Sequence, residues 1–385
     1  ISATAVSGQA PFNYTWSPTG TLLGNGSASV QAVPPASLWY NLEVMDAYGC
    51  EGTGEFLVIV SHPGAVAAGR ILYANAGSTP IAGATIFLLD NTKSTPILDS
   101  TLTDDRGYFW FSGLDTMGYA VYPALEGRWG WGGVNATDAL LTAQHFVQSP
   151  PLTGVWLGAA DVNASGGVNT TDAQQIAQRF AGNIPAFASG DWYFEQPLVP
   201  AGGNTGSETW PEILALNFGD VNGSNNPTVK ATPKVWMEQE GVMSLEEEEE
   251  FEIPVKVVED LEIGSVSLVI HSSQARLVSD IRMVEGLGGI LSWSVEGDEL
   301  RIGWYSLKAV DMEAGSELFY LVFARESAAA LAGMRLEVRD NSELSNGAGE
   351  VYGYQKLSYP ALSFAGNSLS ASLAVWPNPT KGGVT

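Results

Sequence analysis

The sequence predicts a mainly β, multidomain protein with one small α-helical module between its β-sandwiches. Its 385 residues are enough for two or three domains. Short runs of alternating polar and apolar residues, separated by Gly and Pro, recur along most of the chain. Only residues 132–180 have helical apolar spacing instead. A hydrophobic content of 45% with 44 glycines favours packed, turn-rich modules over disorder.

The acidic composition excludes several classes of function. Lys plus Arg number 17 against 42 Asp plus Glu, a formal charge of -25, which disfavours nucleic acid and anionic membranes as partners. The sequence contains no run of about 18 apolar residues, so no membrane-spanning segment is predicted. The single Cys50 cannot form an intrachain disulfide, so we expect a metal ion to stabilise the modules instead. The first residues lack a signal-peptide pattern, and we interpret the chain as a piece of a longer protein.

Residues 1–61 are predicted to form the first β-sandwich. The runs at 12–16 (FNYTW) and 40–44 (YNLEV) alternate as half-buried strands do. The phrases at 14–18 (YTWSP) and 40–50 (YNLEVMDAYGC) resemble polycystic-kidney-disease (PKD) repeats of bacterial surface proteins. That resemblance implies an Ig-like fold.

Residues 65–124 are predicted to form a second β-sandwich. They contain four short strand patterns closed by Gly, Pro or Asp turn residues, at 69–73, 80–89, 103–111 and 119–122. The order of these patterns resembles the carboxypeptidase regulatory-like domain. The resemblance implies a spacer without catalytic residues.

An internal repeat occupies the centre of the chain, in a predicted module at 126–228. Residues 132–146 (GGVNATDALLTAQHF) recur as 166–180 (GGVNTTDAQQIAQRF), with ten of fifteen positions identical. Each copy is predicted to be a loop followed by a short amphipathic helix. The apolar helix positions are Leu140, Ala143 and Val147 in the first copy and Ala173, Ile176, Ala177 and Phe180 in the second.

Residues 161–172 have the spacing of a calcium loop, with oxygen donors at positions 1, 3, 5, 7, 9 and 12 and Gly166 at the sharp turn. The pattern and the helix after it resemble the type I dockerin, which implies bound Ca²⁺ and a cohesin partner. The alternative is an Asx-rich turn that only caps the helix. With two carboxylates, a Kd of about 10⁻⁵ to 10⁻³ M is expected. The predicted ligands are Asp161, Asn163, Ser165, the Gly167 carbonyl, Asn169 and Asp172.

Two incomplete loops suggest a second, split site. The first copy keeps positions 7, 9 and 12 but has Gly and Trp at 1, 3 and 5, whereas 218–224 (FGDVNGS) has only the first half of a loop. Dockerin-like modules resemble a pair of loop–helix units whose ends lie close together, so we hypothesise that the halves share one Ca²⁺. The alternative is a simple turn at 220 and a helix cap at 138. The hypothetical ligands are Asp220, Asn222, Ser224, the Gly133 carbonyl, Asn135 and Asp138.

Residues 232–358 return to strand patterns, at 251–258, 263–270, 299–305 and 318–323. The order of these strands resembles the cohesin jelly roll. That resemblance implies a partner for the dockerin-like module, either within the chain or in trans. The acidic run at 246–250 is interpreted as a solvated turn or an edge guard.

Residues 359–385 are predicted to be a linker and the start of a sorting domain. The phrase at 374–382 (AVWPNPTKG) resembles the opening strand of type IX secretion sorting domains. The resemblance implies recognition by the type IX machinery and a location at the outer surface of a Gram-negative cell.

Two kinds of modification signal occur. Sequons at Asn135, Asn163, Asn169 and Asn222 fall within the loops, and we interpret them as by-products of ligand chemistry. The phrases at 99–101 (DST) and 115–117 (DTM) match bacterial periplasmic O-glycosylation, with ordinary loop hydroxyls as the alternative. The candidate acceptors are Ser100 and Thr116.

No enzyme is predicted. His62, His145 and His271 lie in different modules, and none of the hydrolase, metalloprotease or phosphate-binding motifs occurs. Carboxylate pairs for glycoside hydrolysis stay open, although the informative Asp residues are assigned to Ca²⁺. Five tryptophans are interpreted as packing residues, with a sugar-stacking platform as the alternative. They are Trp129, Trp131, Trp156, Trp192 and Trp210.

The expected function is a non-enzymatic, Ca²⁺-stabilised stalk or scaffold of a secreted surface adhesin or filament protein, with docking between the dockerin-like and cohesin-like modules. The alternative is a carbohydrate-binding scaffold that accompanies a polysaccharide-degrading enzyme. A glycan or filament partner is compatible with either function.

Overall fold

The computed structural model describes the chain except residues 35–36, 61–64, 90–96, 116–117, 126–131, 197, 201–210, 229–233, 246–249, 325–329, 332 and 365–385. Within the described residues, strands far outnumber the three α-helices, which lie together in the centre of the chain. The predicted mainly β fold with a small helical module is therefore confirmed. None of these helices is long and apolar enough to cross a membrane.

The N-terminal sandwich contains a three-stranded sheet of order β1-β4-β5 and a short β2-β3 ladder. Trp16 and Tyr40 are fully buried between them, because alternate residues of β1 and β4 point inward. The Tyr40 hydroxyl lies 2.5 Å from Thr21 Oγ1. The strands are β1 (Asn13–Ser17), β2 (Leu22–Leu23), β3 (Gln31–Ala32), β4 (Leu38–Met45) and β5 (Glu51–Val58).

The second sandwich has two four-stranded sheets, β12-β10-β7-β8 and β11-β13-β6-β9. Buried aromatic and β-branched side chains of both sheets, such as Phe109, Ile71 and Ile86, form one core between them. Its strands are β6 (Ala65–Tyr73), β7 (Thr85–Leu89), β8 (Ile97–Leu102), β9 (Tyr108–Leu114), β10 (Gly118–Ala124), β11 (Trp192–Phe194), β12 (Leu198–Pro200) and β13 (Glu212–Asn217).

Strands β11, β12 and β13 come from the segment that the sequence places in the helical module at 126–228. β12 pairs with β10, and β13 pairs in parallel with β6, so the chain returns to the second sandwich after the helices. Parallel strands need a long crossover connection, and the intervening chain, helices included, provides it. The predicted boundary at residue 126 thus does not separate two sets of strands. Local patterns cannot show this, because the pairing partners are distant in sequence.

The helical module comprises α1 (Ala136–Phe146), α2 (Gly154–Ala160) and α3 (Thr170–Phe180). Helices α1 and α3 each follow one repeat loop, as the spacing predicts. Both begin with a capping box, in which an N-cap Asn and an Asp three residues later exchange hydrogen bonds with the backbone. Leu140 and Ile176 are buried between the helices, but Val147, assigned to the same apolar face, is the C-cap of α1 and is 50% exposed.

The C-terminal sandwich packs the sheet β14-β23-β15-β20-β17 against the sheet β18-β19-β16-β21, with β22 also paired to β16. Trp304, Phe319 and Phe323 are fully buried in its core. The strands are β14 (Val235–Leu245), β15 (Glu250–Val257), β16 (Leu261–His271), β17 (Val278–Met283), β18 (Ile290–Glu296), β19 (Glu299–Met312), β20 (Glu317–Ala324), β21 (Glu337–Val338), β22 (Glu343–Ser345) and β23 (Gln355–Phe364).

Candidate metal centre and docking surface

The contiguous loop at 161–172 is wrapped around the Asp161 carboxylate. Ser165 N donates to Asp161 Oδ1 (3.0 Å), and Gly166 N donates to Asp161 Oδ2 (2.8 Å). Ser165 N also donates to Asn163 Oδ1 (2.9 Å), and its hydroxyl donates to the Gly167 carbonyl (3.0 Å). The predicted metal ligands at positions 1, 3, 5 and 7 thus lie together on the inside of the loop.

The two orphan half-loops meet and make the same bonds. Ser224 N donates to Asp220 Oδ1 (3.0 Å), and Asn225 N donates to Asp220 Oδ2 (3.1 Å). Ser224 N also donates to Asn222 Oδ1 (2.8 Å), and the Ser224 hydroxyl donates to the Gly133 carbonyl (3.2 Å). Each bond has its counterpart at the same loop position of 161–172, although here the two ends of the loop are more than eighty residues apart in sequence.

The carboxylate at position 12 closes both loops. Asp138 Oδ1 accepts from Asn222 N (3.3 Å), and its Oδ2 accepts from Asn135 N (3.0 Å). The corresponding bonds to Asp172 measure 3.3 and 2.9 Å. The helix-capping role that the sequence left as an alternative is therefore present, but the same carboxylate also reaches back to the first half of its loop.

Gly133 is required by close packing within the split loop. It has φ of +81°, and a Cβ built on it would lie 2.5 Å from Asp220 Oδ2. Any other residue would displace the carboxylate or the loop. The two half-loops are therefore fitted to each other sterically as well as by hydrogen bonds.

The electrostatics of the split loop favour a cation. Asp138 and Asp220 are both fully buried. Burial, followed by the charge of Asp220, raises the pKa of Asp138 well above its usual range. Burial also raises the pKa of Asp220 to about 6, against the hydrogen bond from Tyr73 that lowers it. In the contiguous loop, burial raises the pKa of Asp172. A cation bound by these oxygens would stabilise the ionised carboxylates and so offset the effect of burial on their pKa values.

The donor chemistry of both loops fits calcium. Among the described residues, no group of three or more His, Cys, Asp and Glu side chains is arranged to hold a metal. Each loop instead has two carboxylates and takes its other oxygens from amide, hydroxyl and carbonyl groups. A hard cation such as Ca²⁺ prefers this all-oxygen donor set, whereas zinc prefers nitrogen and sulfur.

The N-terminus of α1 lies on the C-terminal sandwich. Thr137 Oγ1 lies 3.0 Å from Ser265 Oγ of β16 and donates to Glu343 Oε1 of β22 (3.0 Å). Asn135 Nδ2 donates to the same Glu343 oxygen (3.0 Å), and Ala136 N donates to Ser267 Oγ (3.0 Å). Sequence patterns single out none of these sandwich residues, because a buried Glu at a strand start carries no local signal.

Helix α3 contacts the same sheet by its other end. The carbonyl of Ala181 accepts from the Ser294 hydroxyl, and the carbonyl of Phe180 accepts from Arg301 Nη1 (3.3 Å). A Cβ on Gly303 would lie 3.0 Å from the Phe180 ring, so the ring packs closely on this glycine. The sheet therefore contacts the N-terminus of α1 and the C-terminus of α3.

Other candidate residues lie away from these sites. Ser100 is exposed on the edge strand β8. His145 Nδ1 accepts from Leu152 N (2.9 Å), which is a structural role. Trp192 stacks on Phe194 inside the second sandwich, and Trp156 is 38% exposed. Outside the described residues lie His62, Thr116, Trp129, Trp131, Trp210, most of the acidic run and the phrase at 374–382.

Residues 132–181 match the family model described as dockerin type I domain. This stretch is therefore a dockerin module, a non-catalytic docking domain of a kind that typically binds calcium, has a cohesin partner and occurs in extracellular proteins. The match includes both repeat copies and the whole contiguous loop but ends before 220–224. A search of curated proteins found no match.

Similar solved structures include two with low sequence identity to this chain. A non-cellulosomal cohesin from the hyperthermophilic archaeon Archaeoglobus fulgidus is 16% identical, over 34% of this chain and 91% of that one, with a TM-score of 0.25. The Bacillus anthracis TIE protein is 8% identical, over 92% of this chain and 51% of that one, with a TM-score of 0.20.

Proposed function

We propose that the helical module is a Ca²⁺-stabilised dockerin that docks on the C-terminal sandwich of its own chain, which acts as the cohesin. The observation that carries this proposal is the buried contact between α1 and Glu343. The Glu343 side chain is 6% exposed and accepts from Asn135, Thr137 and the Lys234 ammonium (3.0 Å). Any other packing of the two modules that buried these polar groups would leave them without partners, so the contact favours one docking geometry.

The oxygens of both loops are proposed to hold calcium. Bound Ca²⁺ would supply a positive charge that balances two carboxylates per loop and fixes the start of the following helix. The chain's own contribution is to hold the carboxylates with backbone N–H groups before the ion arrives, which lowers the ordering cost of binding. Because Asn135 and Asp138 belong to the split loop and lie beside Thr137, loop order and docking are expected to support each other.

The whole chain is proposed to be a rigid stalk of a secreted surface protein. The first two sandwiches are fixed to each other by Arg106, whose guanidinium lies 4.3 Å from the Trp39 ring and pairs with Glu55. Trp39 Nε1 donates to Asp104 Oδ2 (2.9 Å) across the same junction. Export by type IX machinery and display on a Gram-negative surface belong to this proposal through the phrase at 374–382.

Cleavage of the connection between the docked modules tests cis docking. A specific protease site is placed within residues 229–233, the full chain is purified with Ca²⁺, and it is then cut. We expect the two pieces to elute together in gel filtration. Thr137→Arg should separate them, because it places a bulky cation between α1 and the sheet.

Thr171→Arg is the matched control, since Thr171 occupies the same position of the second repeat and is exposed. Pieces carrying it should still elute together. Independent elution of the cut wild-type pieces at high micromolar concentration would show that the modules are neighbours only. Docking to a second chain would instead appear as a dimer of the uncut protein.

A carbohydrate-binding scaffold is the second candidate, and one observation favours it. Trp236 and Tyr354 of the C-terminal sandwich are 41% and 51% exposed, with ring centroids 4.3 Å apart. Exposed aromatic faces stack on sugar rings through apolar C–H surfaces. Retention on polysaccharide columns that Trp236→Ala abolishes would support this candidate, and equal elution of both proteins would eliminate it.

A further inference from the structure

The split loop begins at the edge of the second sandwich. Tyr73 is the last residue of β6, and Asp220 follows the last residue of β13 by three positions. Because β6 and β13 are parallel neighbours, with Ala215 opposite Tyr73, their carboxyl ends meet at one edge of the sheet. The Tyr73 side chain therefore reaches the first ligand position of the split loop.

The sandwich holds the Asp220 carboxylate through a buried network. Tyr73 is fully buried, and its hydroxyl donates to Asp220 Oδ2 (2.5 Å) and accepts from Asn217 N (3.2 Å). Asn225 N donates to the same Asp220 oxygen (3.1 Å), while Asn225 Nδ2 donates to Asn217 Oδ1 (2.9 Å). The bonds from Tyr73 and from the residues that follow β13 together fix the rotamer of the Asp220 side chain.

The sandwich backbone also fits the loop closely. A Cβ on Gly223, which has φ of +65°, would lie 2.2 Å from the Ala74 carbonyl oxygen. Asn75 Nδ2 donates to the Asn225 carbonyl (2.8 Å). The turn at positions 4 to 6 of the split loop therefore lies directly on the chain that leaves β6.

The contiguous loop provides an internal comparison. Among the hydrogen bonds of the described residues, its Asp161 carboxylate accepts only from the Ser165 and Gly166 amides. No tyrosine corresponds to Tyr73 there. The two loops thus have the same internal hydrogen bonds. They differ in that the second sandwich also forms hydrogen bonds to the split loop.

We infer that the second sandwich is part of the split metal site, with Tyr73 as the positioning residue for Asp220. This inference rests on the proposed calcium function and extends it to a module outside the dockerin match. A hydrogen-bonded partner behind a ligand typically changes metal affinity by 10- to 100-fold. Ca²⁺ binding and the contact between sandwich and helical module are thermodynamically linked. The free energy by which the sandwich strengthens Ca²⁺ binding equals the free energy by which bound Ca²⁺ stabilises that contact.

Calorimetric titration of the full chain with Ca²⁺ tests the inference. In an Asp161→Ala background only the split site is titrated, and in an Asp220→Ala background only the contiguous site. We expect Tyr73→Phe to weaken the split site about tenfold and to leave the contiguous site unchanged. Tyr40→Phe is the control, because it also removes a buried, hydrogen-bonded hydroxyl but lies in the first sandwich.

Two further measurements exclude a purely structural effect. Asn75→Ala removes the bond to Asn225, together with the bonds to Thr79 in its own turn, but leaves the aromatic core unchanged, and it should also weaken the split site selectively. In hydrogen exchange, Ca²⁺ should slow the amides of β6 and β13 in the wild type but much less in Tyr73→Phe. Wild-type affinity at the split site in both variants, or equal weakening by Tyr40→Phe, would overturn the inference and leave the proposed function standing. A wild-type chain that binds no Ca²⁺ would overturn both.

Discussion

Asn135 and Asn169 occupy the same position of two repeat copies but have different environments. Both cap a helix through Oδ1, which accepts from the backbone N–H two residues ahead (2.8 Å in each copy). Asn135 is only 3% exposed and its amide also donates to Glu343, whereas Asn169 makes no hydrogen bond to another module among the described residues. The local cap is thus the same in both copies, and the contacts with the C-terminal sandwich, including that with Glu343, distinguish them.

The first prediction concerns the number of bound ions. The wild type should bind two Ca²⁺ per chain in calorimetry. Asp161→Ala should remove one site, and Asp138→Ala and Asp220→Ala should each remove the other, because the latter two carboxylates face one loop. Asp105→Ala, at an exposed turn, should change nothing. A stoichiometry of one that neither Asp138→Ala nor Asp220→Ala alters would show that the half-loops bind no ion.

Helices α1 and α3 show how one element type serves two roles. Their capping boxes and apolar faces are alike, but the first turn of α1 is buried against β16 and β22, whereas the first turn of α3 is mostly exposed. Thr137 and Thr171 are equivalent positions of these turns. The hydroxyl of Thr137 bonds two side chains of the C-terminal sandwich, and Thr171 makes no such contact among the described residues.

The second prediction uses this pair. Thr137→Val keeps the side-chain shape but leaves Ser265 and Glu343 short of a partner, so it should destabilise the α1 contact by about 1–3 kcal/mol. Thr171→Val should stay within about 0.5 kcal/mol, as exposed substitutions usually do. Hydrogen exchange of α1 and β16 measures the local stability directly. Equal effects of the two substitutions would show that the α1 contact contributes no specific stability.

The whole molecule is a chain of modules that contact their neighbours through both polar and apolar side chains. Val155 and Ala159 of α2 lie in the core of the second sandwich, and Tyr305 of β19 lies in the helical core. The helical module lies between two sandwiches and touches both, through Asp220 on one side and Thr137 on the other. The split loop is close to each of these contacts. Ions held in the loops are therefore expected to stabilise more of the molecule than the helical module alone.

The third prediction follows from ligand linkage. Ca²⁺ at a hundredfold excess over Kd should stabilise the domain that binds it by about 2.7 kcal/mol. Scanning calorimetry of the full chain in chelator and in millimolar Ca²⁺ should show the transition of the helical module moving to higher temperature. The transition of the first sandwich, whose described residues make no hydrogen bond to either loop, serves as the reference within the same scan. Identical scans in both conditions would contradict the loop assignment.

The fourth prediction concerns the stiffness of the stalk. Arg106→Ala removes a cation–π contact worth about 0.5–1 kcal/mol and a half-exposed ion pair worth at most about 1 kcal/mol. The two N-terminal sandwiches should then sample a wider range of angles, seen as a broader distance distribution in X-ray scattering. Arg276→Ala is the control, because its pair with Asp298 is exposed within one sandwich. An unchanged distribution in Arg106→Ala would place the stiffness elsewhere.

Features that depend on neighbouring residues are encoded locally in the sequence. Strand alternation, the helix caps at Asn135 and Asn169, and the donor spacing of 161–172 are all encoded within about a dozen residues. Even the pairing of the two half-loops was predictable, because the first copy keeps positions 7, 9 and 12 of a loop and residues 220–224 keep positions 1, 3 and 5. That both halves bind one ion is still a prediction.

Which distant segments share a sheet or a junction is visible only in the folded chain. The return of β13 to β6, the place of Tyr73 beside Asp220, and the contact of Glu343 with α1 each join residues far apart in the chain. Such contacts depend on which buried surfaces fit together and on which polar groups would otherwise lose their partners. Local propensity and spacing contain no information about that choice, because the Thr of the same Asn-x-Thr-Asp phrase is buried in one copy and exposed in the other.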